Sequence, residues 1–92
     1  MSDTVNELVL LEFHAAWCSP CKAMAPVVER IVNEVGDVKL VNVDVDDETE
    51  LSTQYNIRSI PSFVLLKDGK VINRLVGAVS AEKFKNFLSG GK

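Results

Sequence analysis

The 92-residue sequence lacks several features that mark common classes of protein. No apolar run approaches the roughly 20 residues of a membrane-spanning helix. Residues 1–4 offer neither the basic segment nor the apolar segment of a signal peptide. Lysine and arginine form no cluster and the net charge is −3, which argues against nucleic acid as a partner. We expect one cytoplasmic domain over residues 1–92, with no membrane association.

Cysteine and histidine are also scarce. Cys18 and Cys21 are the only two cysteines, and His14 is the one histidine. A zinc site needs four protein ligands, so a single chain falls short of one. Half of a zinc site, or an iron–sulfur cluster bridging two chains, stays open as an alternative. A structural disulfide is unusual in the cytoplasm, where a cysteine pair is more often catalytic or metal-binding. Because so few ligands are available, we expect no metal.

The apolar pattern predicts an α/β domain with the element order βαβαββα. Residues 7–13 are apolar on both faces, as in a central strand. A helix over 18–35 follows, with Pro26 inside it and Gly36 as its stop. Asp47 and Glu50 resemble a capping box that starts a short second helix. The remaining predicted elements are a strand over 38–45, strands over 62–66 and 71–76, and a helix capped by Ser80.

The connections between these elements predict a mixed sheet. The first two strands are joined through a helix, so they should be parallel with a right-handed crossover. Asp68 and Gly69 lie between the last two strands, which is a strong hairpin signal. We expect about four strands, with helices on both faces of the sheet.

The spacing of the two cysteines suits a reversible dithiol/disulfide couple. Residues i and i+3 lie on one face of a helix, so a first helical turn holds the sulfurs of Cys18 and Cys21 close together. The free N–H groups and the dipole of a helix N-terminus stabilise a thiolate.

Five segments resemble the thioredoxin family in order and spacing, and the match runs roughly from residue 7 to 88. The resemblance implies a thioredoxin-like fold that lacks most of the family's N-terminal strand and helix, since only six residues precede the first strand. The matching segments are 13–22, 24–26, 43–46, 55–62 and 75–78.

The resemblance assigns catalytic roles to three residues. Cys18, nearest the helix start, is the expected nucleophile, and Cys21 is the expected resolving thiol. Glu12 stands where the family has a buried Asp that relays protons, and a buried carboxylate has a raised pKa. The alternative is a carboxylate reaching solvent at a strand edge. Asn42 stands where bacterial members often have a lysine, so no paired charge is expected.

Further residues are expected to tune the couple or to contact substrate. Ser19 replaces the usual glycine and, with Pro20, should tune the redox behaviour. Pro61 resembles the family's cis-proline, although a trans proline opening a strand is the alternative. Ordinary core packing is the alternative for the side chains of Trp17 and Val76. The expected substrate surface is Trp17, Ile60, Pro61, Val76, Gly77 and Ala78.

The resemblance implies a general protein-disulfide reductase that needs no cofactor of its own. Its electrons would come from NADPH through a separate thioredoxin reductase, and its clients would be proteins with disulfides. We expect a monomer. Two alternatives stay open: an oxidoreductase that serves one client, and a non-catalytic subunit that binds a partner through the apolar face around Trp17.

Overall fold

The computed structural model describes residues 7–90. The predictions for the N-terminal lead-in concern residues 1–6, which lie outside the described residues. The order βαβαββα is confirmed. The elements are β1 (Leu8–His14), α1 (Ser19–Val35), β2 (Val38–Asp44), α2 (Thr49–Gln54), β3 (Ser62–Lys67), β4 (Lys70–Val76) and α3 (Ala81–Ser89).

The four described strands form one mixed sheet in the order β2-β1-β3-β4. Strands β1 and β2 are parallel, whereas β3 is antiparallel to both of its neighbours, β1 and β4. The carboxyl ends of β1 and β2 therefore meet at one edge of the sheet, where His14 is in register with Asp44. Helix α1 begins beside this edge.

Helices cover both faces of the sheet, as predicted. The alternation of side chains along β1 sends Leu8 and Leu10 to one face, and Leu11 and Phe13 to the other. Helices α1 and α3 cover the first face. The second face carries a smaller cluster, against which the α2 residue Leu51 packs. Buried residues of the first cluster include Met24, Val28, Ile31, Val32, Phe63, Leu65, Phe84, Phe87 and Leu88.

Local signals fix the ends of α1 and the β3–β4 turn. Gly36 has a φ of 75° and its N–H donates to the carbonyl of Val32 at 2.9 Å, which ends α1 after Val35. Asp68 and Gly69 both have positive φ, at 52° and 86°, as a tight turn between antiparallel strands requires. Both signals were readable from the sequence.

The capping box predicted for α2 is wrong. The helix begins at Thr49 after Glu48, and no side chain caps its N-terminus. The preceding residues form a turn instead, in which the N–H groups of Asp47 and Glu48 donate to the carbonyl of Asp44. This turn satisfies the N–H of Asp47, which is one of the two backbone groups that the box would have served. Within residues 7–90, no helix is long and apolar enough to cross a bilayer.

Phe84 anchors α3 to the sheet, and its truncation should destabilise the domain strongly. Its side chain is fully buried, and its ring lies 5.1 Å from the ring of Phe63, centroid to centroid. We expect Phe84→Ala to lower the free energy of unfolding by about 3–5 kcal/mol. Denaturant unfolding measures this, with the exposed neighbour substitution Lys83→Ala as the control. A loss below about 1 kcal/mol would contradict the packing described.

Candidate active site at the start of helix α1

The two cysteines form a disulfide across the first turn of α1. Their Cα atoms are 5.3 Å apart. Cys18 is the N-cap residue of the helix, with extended backbone, and its Sγ accepts the N–H of Cys21 at 3.2 Å. The sulfur therefore occupies the place of a capping oxygen and satisfies a backbone donor that the helix itself leaves unpaired.

The electrostatics of this helix start favour negative charge on Cys18. No acidic residue occupies the first turn of α1, so no carboxylate competes for the positive end of the helix dipole. Ser19 and Pro20 follow Cys18 and are both exposed. Both cysteines are 4% exposed, so burial does not distinguish them. They differ in position, because Cys18 caps the helix and Cys21 lies within its first turn.

Glu12 lies in the interior beside the dithiol. The residue is 4% exposed and belongs to β1, which has a paired strand on each side. The alternative of a carboxylate reaching solvent at a strand edge therefore does not fit. Burial, and secondarily the negative charge of Glu29, raises the pKa of the Glu12 carboxyl from 4.5 to about 7. Such a group can exchange a proton near neutral pH.

Glu12 and Cys21 line the same cleft, and Cys18 is not among the lining residues. The cleft has a volume of about 300 Å³ and lies between β1, β2 and the first turns of α1. Asn42 lies across from Glu12 in register on β2, so no cation faces the carboxyl from that strand. The full lining is Glu12, His14, Ala15, Ala16, Cys21, Lys22, Ala25, Glu29 and Asn42.

Trp17 projects beside the disulfide instead of packing in the core. Its side chain is 67% exposed, and its Nε1–H donates to Oδ2 of Asp46 at 2.8 Å. The core alternative for this residue is wrong. Sequence reasoning missed Asp46 as a partner. The available signal was that parallel strands bring their carboxyl ends to one edge, which places the residues after β2 beside those after β1.

The remaining predicted surface residues come from the loops before β3 and after β4. The Ile60–Pro61 peptide bond is cis, and the carbonyl of Pro61 accepts the N–H of Gly77 at 2.8 Å. Val76 is 57% exposed, so the core alternative is wrong for it too, whereas the ring of Pro61 is buried. Ile60 is half-buried and packs against the two cysteines, and Ala78 is exposed.

Gly77 adopts a backbone conformation that other residues rarely take. Its φ is +98°, and a Cβ at this position would meet nothing within 4 Å. Glycine is therefore required by the backbone angle and not by crowding within the chain. The open space beside it is available to another molecule.

A second cleft, of about 360 Å³, has Trp17 in its lining. It could not be predicted from a local motif, because it forms between the end of β2, helix α2 and the loop that follows that helix. Its lining combines apolar side chains with the exposed cation Arg58. The lining residues are Trp17, Val45, Ser52, Ile57, Arg58, Ser59 and Ile60.

Comparison with known proteins agrees with this geometry. The Thioredoxin family matches residues 2–90. The chain is 47% identical over 81 residues to thioredoxin C-2 of Corynebacterium nephridii, covering 87% of this chain and 75% of that protein. It is 39% identical over 89 residues to the thioredoxin of Bacillus subtilis, covering 96% of this chain and 86% of that protein. The chain belongs to the thioredoxin family.

Solved thioredoxin structures share the fold. The crystal structure of Fasciola hepatica thioredoxin superimposes with a TM-score of 0.88 at 35% identity, covering 97% of this chain and 85% of that one. Thioredoxins are disulfide oxidoreductases that work through a redox-active disulfide and without a cofactor, and this chain carries the cysteine pair at the active-site position. Among residues 7–90, no group of three or more His, Cys, Asp or Glu side chains is placed to hold a metal ion.

The raised pKa of Glu12 predicts a pH-dependent stability. The folded state binds the Glu12 proton more tightly than the unfolded chain does. Its contribution is therefore complete below about pH 4.5 and disappears as the pH rises through about 7. The loss amounts to at most about 3 kcal/mol.

The Glu12→Gln variant should remove this dependence, because its neutral amide imitates the protonated acid. We expect the difference in unfolding free energy between wild type and this variant to change between pH 5 and pH 8 in favour of the variant. Glu34→Gln, an exposed substitution on α1, is the control. A constant difference between wild type and Glu12→Gln across this range would contradict the raised pKa.

Proposed function

We propose that this thioredoxin is a general protein-disulfide reductase in which Cys18 attacks, Cys21 resolves and Glu12 handles the proton of Cys21. The observation that carries the proposal is the asymmetry of the disulfide. Cys18 caps the helix, where a thiolate is stabilised. Cys21 shares a cleft with a carboxyl whose pKa is about 7.

The reaction proceeds in two exchange steps. The Cys18 thiolate attacks one sulfur of a client disulfide, which breaks the client bond and forms a mixed disulfide while the released client sulfur takes up a proton. The Cys21 thiol then gives its proton to the Glu12 carboxylate and attacks the Cys18 sulfur. The second client sulfur leaves as a thiolate and takes up a proton. The client has then gained two electrons, and the Cys18–Cys21 pair has lost two electrons and become a disulfide.

The surface around the disulfide supports an extended client segment. The side chains of Trp17, next to Cys18 in the chain, and of Val76 are exposed, and the absence of a Cβ at Gly77 leaves room for a close backbone approach. We propose that Ile60, Pro61 and Ala78 complete this surface. Ser19 and Pro20, next to the nucleophile, are proposed to tune its reactivity.

The electron supply and the setting are part of the proposal. Family membership supports disulfide-containing proteins and a thioredoxin reductase as general partners. We propose that NADPH supplies the electrons through that reductase, and that the protein works as a single-domain monomer in the cytoplasm. Addition of NADPH and a thioredoxin reductase to the oxidised protein should reduce its disulfide, as measured by thiol titration.

Serine substitutions separate the roles of the two cysteines. With dithiothreitol as electron donor, we expect Cys18→Ser to reduce insulin no faster than the reagent alone, because the nucleophile is gone. We expect Cys21→Ser to accumulate mixed disulfides with client proteins, since the resolving attack is lost. The measurements are insulin turbidity and non-reducing electrophoresis.

The same variants test the alternatives. Wild-type turnover no greater than that of Cys18→Ser would overturn the reductase function and favour a binding subunit. Trapping by Cys18→Ser in place of Cys21→Ser would reverse the assigned roles. Turnover of one protein disulfide among several tested would favour an enzyme dedicated to a single client.

A further inference from the structure

The cleft that joins Glu12 to Cys21 has a second carboxylate at its rim. Glu12 and Cys21 are buried, whereas Glu29 is exposed, and all three line the same space. Cys21, Ala25 and Glu29 succeed one another at intervals of four along α1, so they lie on one face of the helix. Ala25, with its single methyl group, leaves the space between the other two unfilled. The cleft therefore brings the charge of Glu29 close to the buried carboxyl.

No cation of the described part of the chain forms an ion pair with Glu29. Glu34, on the same helix, differs in this respect, since its Oε1 lies 3.6 Å from Nζ of Lys85. An unpaired charge at the mouth of a cleft acts on a buried group more strongly than one screened by a close counter-ion.

Few other groups around Glu12 could offset the negative charge of Glu29. On β1 the nearest titratable neighbour in the cleft is His14, and on α1 the cation Lys22 lies at the exposed rim. Strand β2 presents the uncharged Asn42, and β3 presents the apolar Phe63 in register with Glu12. The negative charge of Glu29 raises the pKa of Glu12, second in size to burial.

We infer that Glu29 is a positioning residue of the exchange reaction, which acts on Cys21 through Glu12 and sets the pH at which Glu12 accepts the thiol proton. This inference rests on the proposed relay function of Glu12. Loss of the Glu29 charge makes the carboxylate form of Glu12 available at lower pH. The acidic limb of the resolving step then moves to lower pH by the same amount.

A series of charges at position 29 tests the inference. For an exposed charge acting across a cleft, removal should lower the titration midpoint of Glu12 by about half a pH unit, and reversal by about twice that. The variants are Glu29→Gln and Glu29→Lys, with Glu29→Asp to keep the charge and Glu34→Gln as a matched control on the same helix. Carbon-13 NMR of the Glu12 carboxyl in the oxidised protein reads the midpoint directly.

The kinetic measurement is the rate of client release from the mixed disulfide as a function of pH. We expect the acidic limb of this profile to move to lower pH together with the NMR midpoint, by more in Glu29→Lys than in Glu29→Gln. The Glu29→Asp and Glu34→Gln variants should keep the wild-type limb. A purely structural role would lower the rate at all pH values without moving the limb.

Three results overturn the claims and can be told apart. An unchanged NMR midpoint in both Glu29→Gln and Glu29→Lys overturns the inference and leaves the relay function intact. A shifted midpoint with an unshifted kinetic limb shows that Glu29 has no part in the reaction. A wild-type release rate and pH profile in Glu12→Gln overturns the relay function itself.

Discussion

The active site depends on the bond from the N–H of Cys21 to the sulfur of Cys18, at 3.2 Å. A helix start has N–H groups that no carbonyl of the same helix can satisfy. Here one of them is satisfied by the sulfur of Cys18, so one arrangement both caps the helix and holds the proposed nucleophile. The disulfide follows from it, since the cap and the third helical residue are placed 5.3 Å apart between Cα atoms.

The position of β1 in the sheet accounts for the second half of the site. Strand β1 has a neighbour on each side, and apolar clusters cover both faces of the sheet, so most of the strand is buried. Its sequence is apolar except for Glu12 and His14 in its carboxyl-terminal half. Burial of Glu12 costs free energy in its charged form, which is why its pKa rises to about 7. The small residues Ala15, Ala16 and Ala25 leave the cleft beside it open.

Features set by neighbouring residues could be predicted from the sequence. The Asp68–Gly69 turn depends on a few consecutive residues. The same is true of the Ser80 cap, in which the Ser80 hydroxyl accepts the N–H of Lys83 at 3.1 Å. Individual contacts between distant strands were missed, although the parallel pairing that brings them together was predicted. The bond from Trp17 to Asp46 joins residues 29 positions apart, and it requires the parallel pairing of β1 with β2.

The failed prediction for α2 concerns the same loop as the missed partner of Trp17. Asp47 and Glu50 have the spacing of a capping box, but the residues after β2 turn around Asp44, whose carboxylate accepts the N–H of Asp46 at 2.8 Å. This competing turn is part of the loop that carries Asp46 to Trp17. The predicted capping box is therefore replaced by another local turn, which lies beside the active site.

We expect the start of α1 to make two equally buried cysteines chemically unequal. Brief alkylation of the fully reduced protein with limiting iodoacetamide at neutral pH, followed by mass spectrometry of peptides, measures the difference. Cys18 should be modified first, because its thiolate is stabilised at the helix N-terminus, and the preference should vanish in denaturant. Equal modification of the two cysteines in the folded protein, or faster modification of Cys21, would contradict it.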